Sequence, residues 1–290
     1  MDQWTLGILG GSGLYDIPGL ENAREETIET PWGAPSDTLM RGRLNGIDLV
    51  FLPRHGRGHR LTPTSVPYRA NIDALKRAGV TDILSFSACG SLKEAYAPGD
   101  FVAVDQFIDR TFAREKSFFG PGMVAHVSMA HPVCERLATL ATDAAAGQGV
   151  KVHRGGTYLA MEGPQFSSLA ESRLYRQWGC DVIGMTNMPE AKLAREAELP
   201  YATLAMVTDY DCWHEEEDAV SVTNVLEIMG QNADHARSTI VSLCQVLSGH
   251  ARAPSPQGIE TCLDHALITA PDMRDPALLA KLDVVAGRLL

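Results

Sequence analysis

The stretch YRANIDALKRAGVTDILSFS, residues 68–87, joins a helical pattern to a buried strand and decides the fold class. Residues 68–78 carry apolar side chains at helical spacing, and Gly79 follows as a helix C-cap. Residues 80–87 then form a largely apolar run, which is typical of a buried strand. A helix followed directly by a buried strand is the repeating unit of an α/β protein.

The same alternation continues on both sides of this stretch. Further strands are predicted at residues 5–9, 47–52, 101–108, 181–185 and 201–208, and further helices at residues 131–146, 168–178, 189–197 and 219–247. This order of elements predicts an α/β protein with a largely buried sheet.

Composition limits the classes of function. The chain has 290 residues and a formal net charge of −11, which argues against non-specific binding to nucleic acid or to anionic membranes. Its six cysteines form no C-x-x-C pair, so we expect reduced thiols in a cytoplasmic protein. The N-terminus lacks the pattern of a signal peptide, and no apolar run is long enough to predict a transmembrane helix.

Three segments are candidates for anion binding in this acidic chain. GILGGSG at 7–13 follows a predicted strand and suits a small anion, with a simple tight turn as the alternative. RHGRGHR at 54–60 contains three arginines and two histidines, and an arginine can clamp two phosphate oxygens; the alternative is a solvated basic loop. SACGS at 87–91 has small residues at a predicted strand end, where ligands gather in α/β sheets. Within it we expect Cys89 to be a packed thiol rather than a nucleophile.

A fourth segment, MEGPQFSS at 161–168, contains an aromatic residue that suits a planar base. Phe166 comes just before a predicted helix N-cap at Ser167 or Ser168. The alternative is that this phenylalanine belongs to the core.

A pair of aspartates follows the buried strand predicted at residues 201–208. Asp209 and Asp211 are alternate residues of an extended segment and share a face, so both carboxylates can meet one ligand. A metal site formed by these two residues with His214 is the rival interpretation. For residues 215–218, an acidic surface loop is the simplest interpretation.

Together these segments resemble the 5′-methylthioadenosine phosphorylases of the trimeric purine nucleoside phosphorylase superfamily. The matches occur in the family's order over about residues 7–248: GSGL at 11–14, RHGR at 54–57, ACGSL at 88–92, PGD at 98–100, DQFIDRT at 105–111, EGPQFSS at 162–168, MTNMPE at 185–190 and TDYDCW at 208–213. So many ordered matches make the resemblance far more specific than any one glycine loop.

The resemblance implies a single-domain nucleoside phosphorylase fold, α/β, with a mixed, partly barrel-like central sheet surrounded by helices. It also implies a homotrimer whose active sites lie near subunit contacts. We assign residues 1–249 to the catalytic domain. Residues 249–258 are rich in Ala, Pro, Ser and Gly and are predicted to be a linker. We expect residues 250–290 to form this linker and a helical tail that packs on the domain or on a neighbouring subunit.

The resemblance also implies roles for particular residues. Phosphate would be bound by Ser12, Arg54, His55, Ser87, Ala88 and Thr186. The nucleoside would contact Phe166, Met185, Thr208, Asp209, Tyr210 and Asp211, with His126 reaching in from a neighbouring subunit. The preference for a 5′-alkylthio group would be set by Ser167, Val222, Val225 and Leu226.

The implied reaction is phosphorolysis of S-methyl-5′-thioadenosine to adenine and 5-methylthioribose 1-phosphate. Asp209 would protonate purine N7 as the catalytic acid, and Asp211 would accept a hydrogen bond from the 6-amino group. Phosphate is then a co-substrate, and we expect neither a cofactor nor a metal.

Three alternatives remain open from the sequence. The first is a phosphorylase for methylthioinosine or another purine nucleoside, which an asparagine in place of Asp209 would favour. The second is a nucleosidase that uses water. The third is a metal-dependent hydrolase built on Asp209, Asp211 and His214.

Overall fold

In the computed structural model, residues 3–11, 14, 16–214 and 222–290 are described, with the backbone alone for residues 222–225. Eleven strands in these residues form one mixed sheet. The strands are β1 (Thr5–Gly10), β2 (Glu21–Glu26), β3 (Leu39–Leu44), β4 (Ile47–Pro53), β5 (Asp82–Ser91), β6 (Phe101–Ala103), β7 (Gln106–Asp109), β8 (Val152–Arg154), β9 (Thr157–Ala160), β10 (Val182–Gly184) and β11 (Tyr201–Asp209). The helices are α1 (Tyr68–Arg77), α2 (Glu135–Ala146), α3 (Leu169–Gln177), α4 (Asn187–Glu196), α5 (Val222–Ser248) and α6 (Pro276–Lys281).

Strand β5 is the centre of the sheet. One of its edges pairs in parallel with β1 over residues 82–85 and then antiparallel with β10 at Gly90 and Ser91. Its other edge pairs in parallel with β11. Beyond β11 the sheet continues to β6. The next strand in the chain, β7, does not extend this side but pairs with β9. Strand β9 pairs with β10, which in turn pairs with β5. This near-closed ring confirms the mixed, partly barrel-like sheet that the resemblance implied.

Helices cover the sheet on two sides. One core cluster joins the sheet to α1 and α4, and the other joins it to α2 and α5. In α1 the apolar residues Ile72 and Leu75 are fully buried, and Gly79 adopts a positive φ of 80° just after the helix, as its C-cap pattern predicted.

Two predictions of strand boundaries were wrong. Residues 101–108 form two strands rather than one, because the backbone N–H groups of Asp105 and Gln106 both donate to Gly156 O and the chain changes partner there. SACGS at 87–91 is not a strand end but the second half of β5, which continues because β10 and β11 supply pairing partners on its two edges.

The C-terminal tail packs against the body of its own chain. Leu263, Leu282 and Val285 belong to the same core cluster as α1 and α4. Arg288 donates two hydrogen bonds, of 3.0 and 2.7 Å, to the carboxylate of Glu198. A domain boundary after residue 249 stays a prediction.

Candidate active site

Two hydroxyl groups predicted to bind phosphate meet where β5 faces the start of α4. Ser87 Oγ lies 3.2 Å from Thr186 Oγ1, and both side chains are buried. Ala88, the next residue of β5, is partly exposed. Residues 99 positions apart are thus brought together, and their hydroxyls are potential donors to an anion.

Arg54, which follows β4, is almost completely buried and faces Glu190 of α4. Its Nε and Nη2 atoms donate to the two carboxylate oxygens at 2.6 and 2.9 Å. Burial works against the charge of Arg54, but Glu190 outweighs it and raises the pKa of the guanidinium. Because Nε and Nη2 already donate to Glu190, this edge of the guanidinium is not available to bind two phosphate oxygens. Direct binding of phosphate by Arg54 stays a prediction.

His55 is an uncharged ring at neutral pH. Burial lowers the pKa of His55 to about 4. Its Nδ1 lies 2.9 Å from Leu61 O, an acceptor, and its ring stacks on His59 at 4.3 Å. The proton therefore belongs on Nδ1, which leaves Nε2 as an acceptor. Such a ring suits the protonated oxygen of a monohydrogen phosphate better than a bare anionic oxygen.

Asp209 at the end of β11 is held by two donors. Its Oδ2 accepts from Thr208 Oγ1 at 2.6 Å, and its Oδ1 accepts from the backbone N–H of Asp211 at 2.8 Å. Burial raises the pKa of Asp209 even though both hydrogen bonds act in the opposite direction. Gly90 on β5 makes room for this carboxylate, because a Cβ there would lie 2.9 Å from Asp209 Oδ1.

Asp211 has a buried oxygen that is ready to accept a hydrogen bond. The residue is 7% exposed, and its backbone has a φ of 54°, a conformation that aspartate tolerates better than most residues. Burial raises the pKa of Asp211 to about 6; the Ser172 and Ser167 hydroxyls oppose that rise, and the charge of Asp209 adds to it. Its Oδ2 has no hydrogen-bond partner by distance and angle, which is unusual for a buried oxygen and marks it as an acceptor.

The loop after β9 approaches the segment after β10. Gly163 has a φ of 68°, and a Cβ on it would lie 2.5 Å from Met185 Sδ, so the two segments are in close contact. In the same loop Ser167 O accepts from Cys212 Sγ at 3.3 Å. Phe166 is 49% exposed, so the alternative that it belongs to the core does not hold.

The sequence analysis did not identify Arg114 and Glu162, which connect the loop after β9 to the segment after β10. Arg114 Nη1 donates to the carbonyl oxygens of Met185 and of Met188, the latter at 2.8 Å. Its Nη2 donates to Glu162 O at 2.6 Å, and the Glu162 carboxylate accepts from the backbone N–H of Phe112 at 2.6 Å. Arg114 gave no signal because its partners are mostly backbone carbonyls, whereas Glu162 lay in a matched segment without an assigned role.

The remaining predicted residues are partly or largely exposed, or lie outside the described residues. Tyr210 is partly exposed and stacks on His214 at 4.6 Å. His126 and Leu226 are exposed. Three predicted residues lie outside the described part of the chain, either entirely or with their side chains: Ser12, Val222 and Val225. The acidic segment 215–218 also lies outside it.

The rival metal triad is not assembled. His214 Nε2 lies 3.1 Å from Glu94 Oε1, and Asp209 and Asp211 form their contacts elsewhere. In the residues that the structure describes, no three His, Cys, Asp or Glu side chains are grouped to hold a metal ion. None of the helices described is both long and apolar enough to cross a membrane.

Comparison with known proteins adds a family to this geometry. The sequence pattern of the phosphorylase superfamily matches residues 5–244. The chain is 64% identical over 285 residues to the S-methyl-5′-thioadenosine phosphorylase of Cereibacter sphaeroides, and the match covers 98% of each chain. It is also similar to the crystal structure of a methylthioadenosine phosphorylase from an Antarctic soil metagenomic library, with a TM-score of 0.92, 47% identity and coverage of 98% and 99%. A variant of the Schistosoma mansoni adenosine/methylthioadenosine phosphorylase in complex with methylthioadenosine gives a TM-score of 0.79 at 38% identity, over 86% of this chain and 93% of that one.

Proposed function

We propose, because this chain belongs to the phosphorylase superfamily, that it cleaves S-methyl-5′-thioadenosine with inorganic phosphate and releases adenine and 5-methylthioribose 1-phosphate. Relatives that match it over nearly their whole length are S-methyl-5′-thioadenosine phosphorylases. The enzyme is thus a pentosyltransferase, and phosphate is its second substrate.

The observation that carries the choice of base is the buried Oδ2 of Asp211, which receives no hydrogen bond of acceptable distance and angle, although the Ser172 and Ser167 hydroxyls act on the same carboxyl. An ionised carboxylate accepts hydrogen bonds and does not donate them. A 6-amino group supplies a donor to this oxygen, whereas a 6-oxo group brings a second acceptor. Leaving a buried polar atom unpaired costs about 1–3 kcal/mol, so adenine derivatives are preferred over hypoxanthine derivatives.

Asp209 is the proposed acid for the leaving base. Breaking the bond between the base and C1′ leaves negative charge on the purine, which protonation at N7 relieves. Burial raises the pKa of Asp209 and so brings proton donation closer to neutral pH. The Thr208 hydroxyl and the Asp211 N–H keep the carboxyl in one orientation.

Phosphate is the proposed nucleophile, and the protein's part is to position it. Ser87 and Thr186 supply hydroxyl donors, Ala88 lies beside them, and His55 supplies an acceptor. Met185 lies next to Thr186 and is the proposed contact for the ribose. Positioning two substrates accelerates a reaction without a covalent intermediate. We therefore propose that no metal or cofactor takes part.

A homotrimer in the cytoplasm completes the proposal. His126 is exposed and is proposed to enter the site of a neighbouring subunit, and near it Ile268, whose N–H donates to Val124 O, has an exposed apolar side chain. All six cysteines are free thiols, which fits a reducing compartment. Sedimentation velocity measures the mass directly, and a monomer at assay concentration would contradict the trimer.

Product analysis with and without phosphate tests the proposed function. With phosphate, we expect adenine and 5-methylthioribose 1-phosphate in equal amounts, and no turnover after exhaustive removal of phosphate. Free methylthioribose formed without phosphate would show a nucleosidase instead. Loss of activity with a chelator, restored by a divalent ion, would show a metal-dependent hydrolase. Faster cleavage of methylthioinosine than of methylthioadenosine would overturn the proposed base preference.

A further inference from the structure

Tyr158 on β9 is a fully buried residue next to the proposed phosphate subsite. Its hydroxyl oxygen lies 3.2 Å from Ser87 Oγ, which in turn lies 3.2 Å from Thr186 Oγ1. Three hydroxyl groups from β9, β5 and the start of α4 therefore form a continuous chain. Gly184 on β10 makes this possible, because a Cβ at that position would collide with the Tyr158 oxygen.

Each of these three hydroxyl groups has one proton, and this limits how their hydrogen bonds can be arranged. Each hydroxyl donates one hydrogen bond and accepts up to two. Burial raises the pKa of Tyr158 to about 12, so this residue keeps its proton at neutral pH. The other acceptor for Ser87 is Ala88 O at 3.3 Å, a long hydrogen bond. A bound anion competes easily for a proton held so weakly.

We propose that Tyr158 is a positioning residue for phosphate. Its hydroxyl donates to Ser87 Oγ, so that one of the two protons of Ser87 and Thr186 remains in the hydrogen bond between them and the other is directed towards the anion. Tyr158 acts through these two residues and does not itself touch the substrate. This inference rests on the proposed function, in which Ser87 and Thr186 bind phosphate.

The variant Tyr158→Phe removes the hydroxyl and keeps the ring. We expect the KM for phosphate to rise about threefold to tenfold, because one hydrogen bond in the chain is lost. The KM for methylthioadenosine stays within about twofold, since the nucleoside contacts other residues. Thr239→Val is the matched control: it removes a buried hydroxyl that donates to His235 O within α5, and it leaves both KM values unchanged.

A double-mutant cycle with Ser87→Ala tests the route of the effect. If Tyr158 acts through Ser87, then Tyr158→Phe raises the KM for phosphate less in the Ser87→Ala background than in the wild type. An equal increase in both backgrounds would overturn the proposal, as would a rise in the KM for methylthioadenosine alone. A merely structural role changes the melting temperature without producing this pattern.

Gly184→Ala provides an independent second variant. It displaces the Tyr158 hydroxyl without removing it, and we expect the same selective rise in the KM for phosphate. An unchanged KM in both folded variants would overturn the inference. Failure of the proposed function is a separate result, because it shows as phosphate-independent turnover of the wild-type enzyme, whatever the variants do.

Discussion

Asp209 and Asp211 are two residues apart, and their carboxylates have different surroundings. Both oxygens of Asp209 accept hydrogen bonds within the protein, whereas Asp211 keeps one buried oxygen without a partner. Thr208 is part of this difference, because its hydroxyl is used by Asp209. The surroundings of the first carboxyl thus fit the proposed proton transfer, and those of the second fit the proposed hydrogen bond from the substrate.

Asp209→Asn tests the acid role. We expect kcat to fall by about 10²–10⁴, the usual contribution of a general acid, while the KM for phosphate changes little. Steady-state kinetics with both substrates provide the measurement. Asp48→Asn, at a half-exposed site on β4, is the matched control and retains full activity. A kcat within threefold of wild type would contradict the role of Asp209, as a rough threshold below that range.

Asp211→Asn tests recognition of the amino group. Asparagine tolerates the positive φ at this position and places an N–H donor where the carboxylate was. We expect kcat/KM for methylthioadenosine to fall about tenfold to a hundredfold, and kcat/KM for methylthioinosine to rise. Competition between the two substrates in one reaction gives this ratio directly. An unchanged ratio would show that Asp211 does not contact the 6-position.

The pH dependence of this preference follows from the pKa of Asp211, which is raised to about 6 by burial. Above that pH the carboxylate accepts from the amino group; below it, the neutral carboxyl can donate to a 6-oxo group. The ratio of kcat/KM for methylthioadenosine to that for methylthioinosine should therefore decrease as the pH is lowered from about 8 to about 5. Taking the ratio cancels the ionisation of phosphate, and Asp211→Asn should abolish the trend. A flat ratio in the wild type would contradict the assignment.

At the scale of elements, the site depends on how two loops are joined. The loop after β9 and the segment between β10 and α4 are connected by Arg114, whose side chain is fully buried. Its donors satisfy the carbonyl oxygens of Met185, Met188 and Glu162. A planar guanidinium reaches acceptors in several directions at once, which a lysine does not do.

Arg114→Met tests this connection. It leaves these carbonyl oxygens without donors and the Glu162 carboxylate without its cation, so the free energy of unfolding should fall by about 3–5 kcal/mol. The KM for methylthioadenosine should rise at the same time, because Met185 loses its support. Arg43→Met, at a half-exposed position, is the control and changes stability by no more than about 0.5 kcal/mol. Urea unfolding gives the first quantity, and a loss below about 1 kcal/mol would contradict the role of Arg114.

At the scale of the whole molecule, the tail is part of the core that supports the site. Leu263 and Leu282 are fully buried, and Val285 is 1% exposed. Burying an aliphatic side chain of this size contributes about 1.5–3 kcal/mol, and the net stability of a protein is only about 5–15 kcal/mol. Removing several such side chains therefore removes most of the stability.

A chain that ends at residue 249 should not unfold cooperatively and should not turn over methylthioadenosine. The milder variant Leu282→Ala should keep the fold and lose about 2–5 kcal/mol of unfolding free energy. Leu226→Ala, at an exposed position on α5, is the control for stability. A truncated chain with native stability would show that residues 250–290 are an accessory segment.

Several features of this protein follow from the sequence alone. The α/β class, helix α1 and the strands β1, β4 and β11 are encoded in local apolar patterns, so they can be predicted without knowing what packs against them. Strand β2 could not be predicted in this way, because its charged sequence ENAREE has no apolar alternation and the strand is almost entirely exposed. The ordered motifs likewise indicated the candidate residues of the site.

Only the tertiary structure decided how these residues are used. Arg54 looked like a phosphate clamp, and the fold turned its bidentate edge to Glu190, 136 positions away. His214, the third member of the alternative metal site, contacts Glu94, 120 positions away. Tyr158 and Arg114 carried no signal at all, and the sequence left open whether the tail packs on its own domain or on a neighbouring subunit. The physical reason is the same in each case: hydrogen bonds and burial between distant segments exist only after the sheet has brought those segments together.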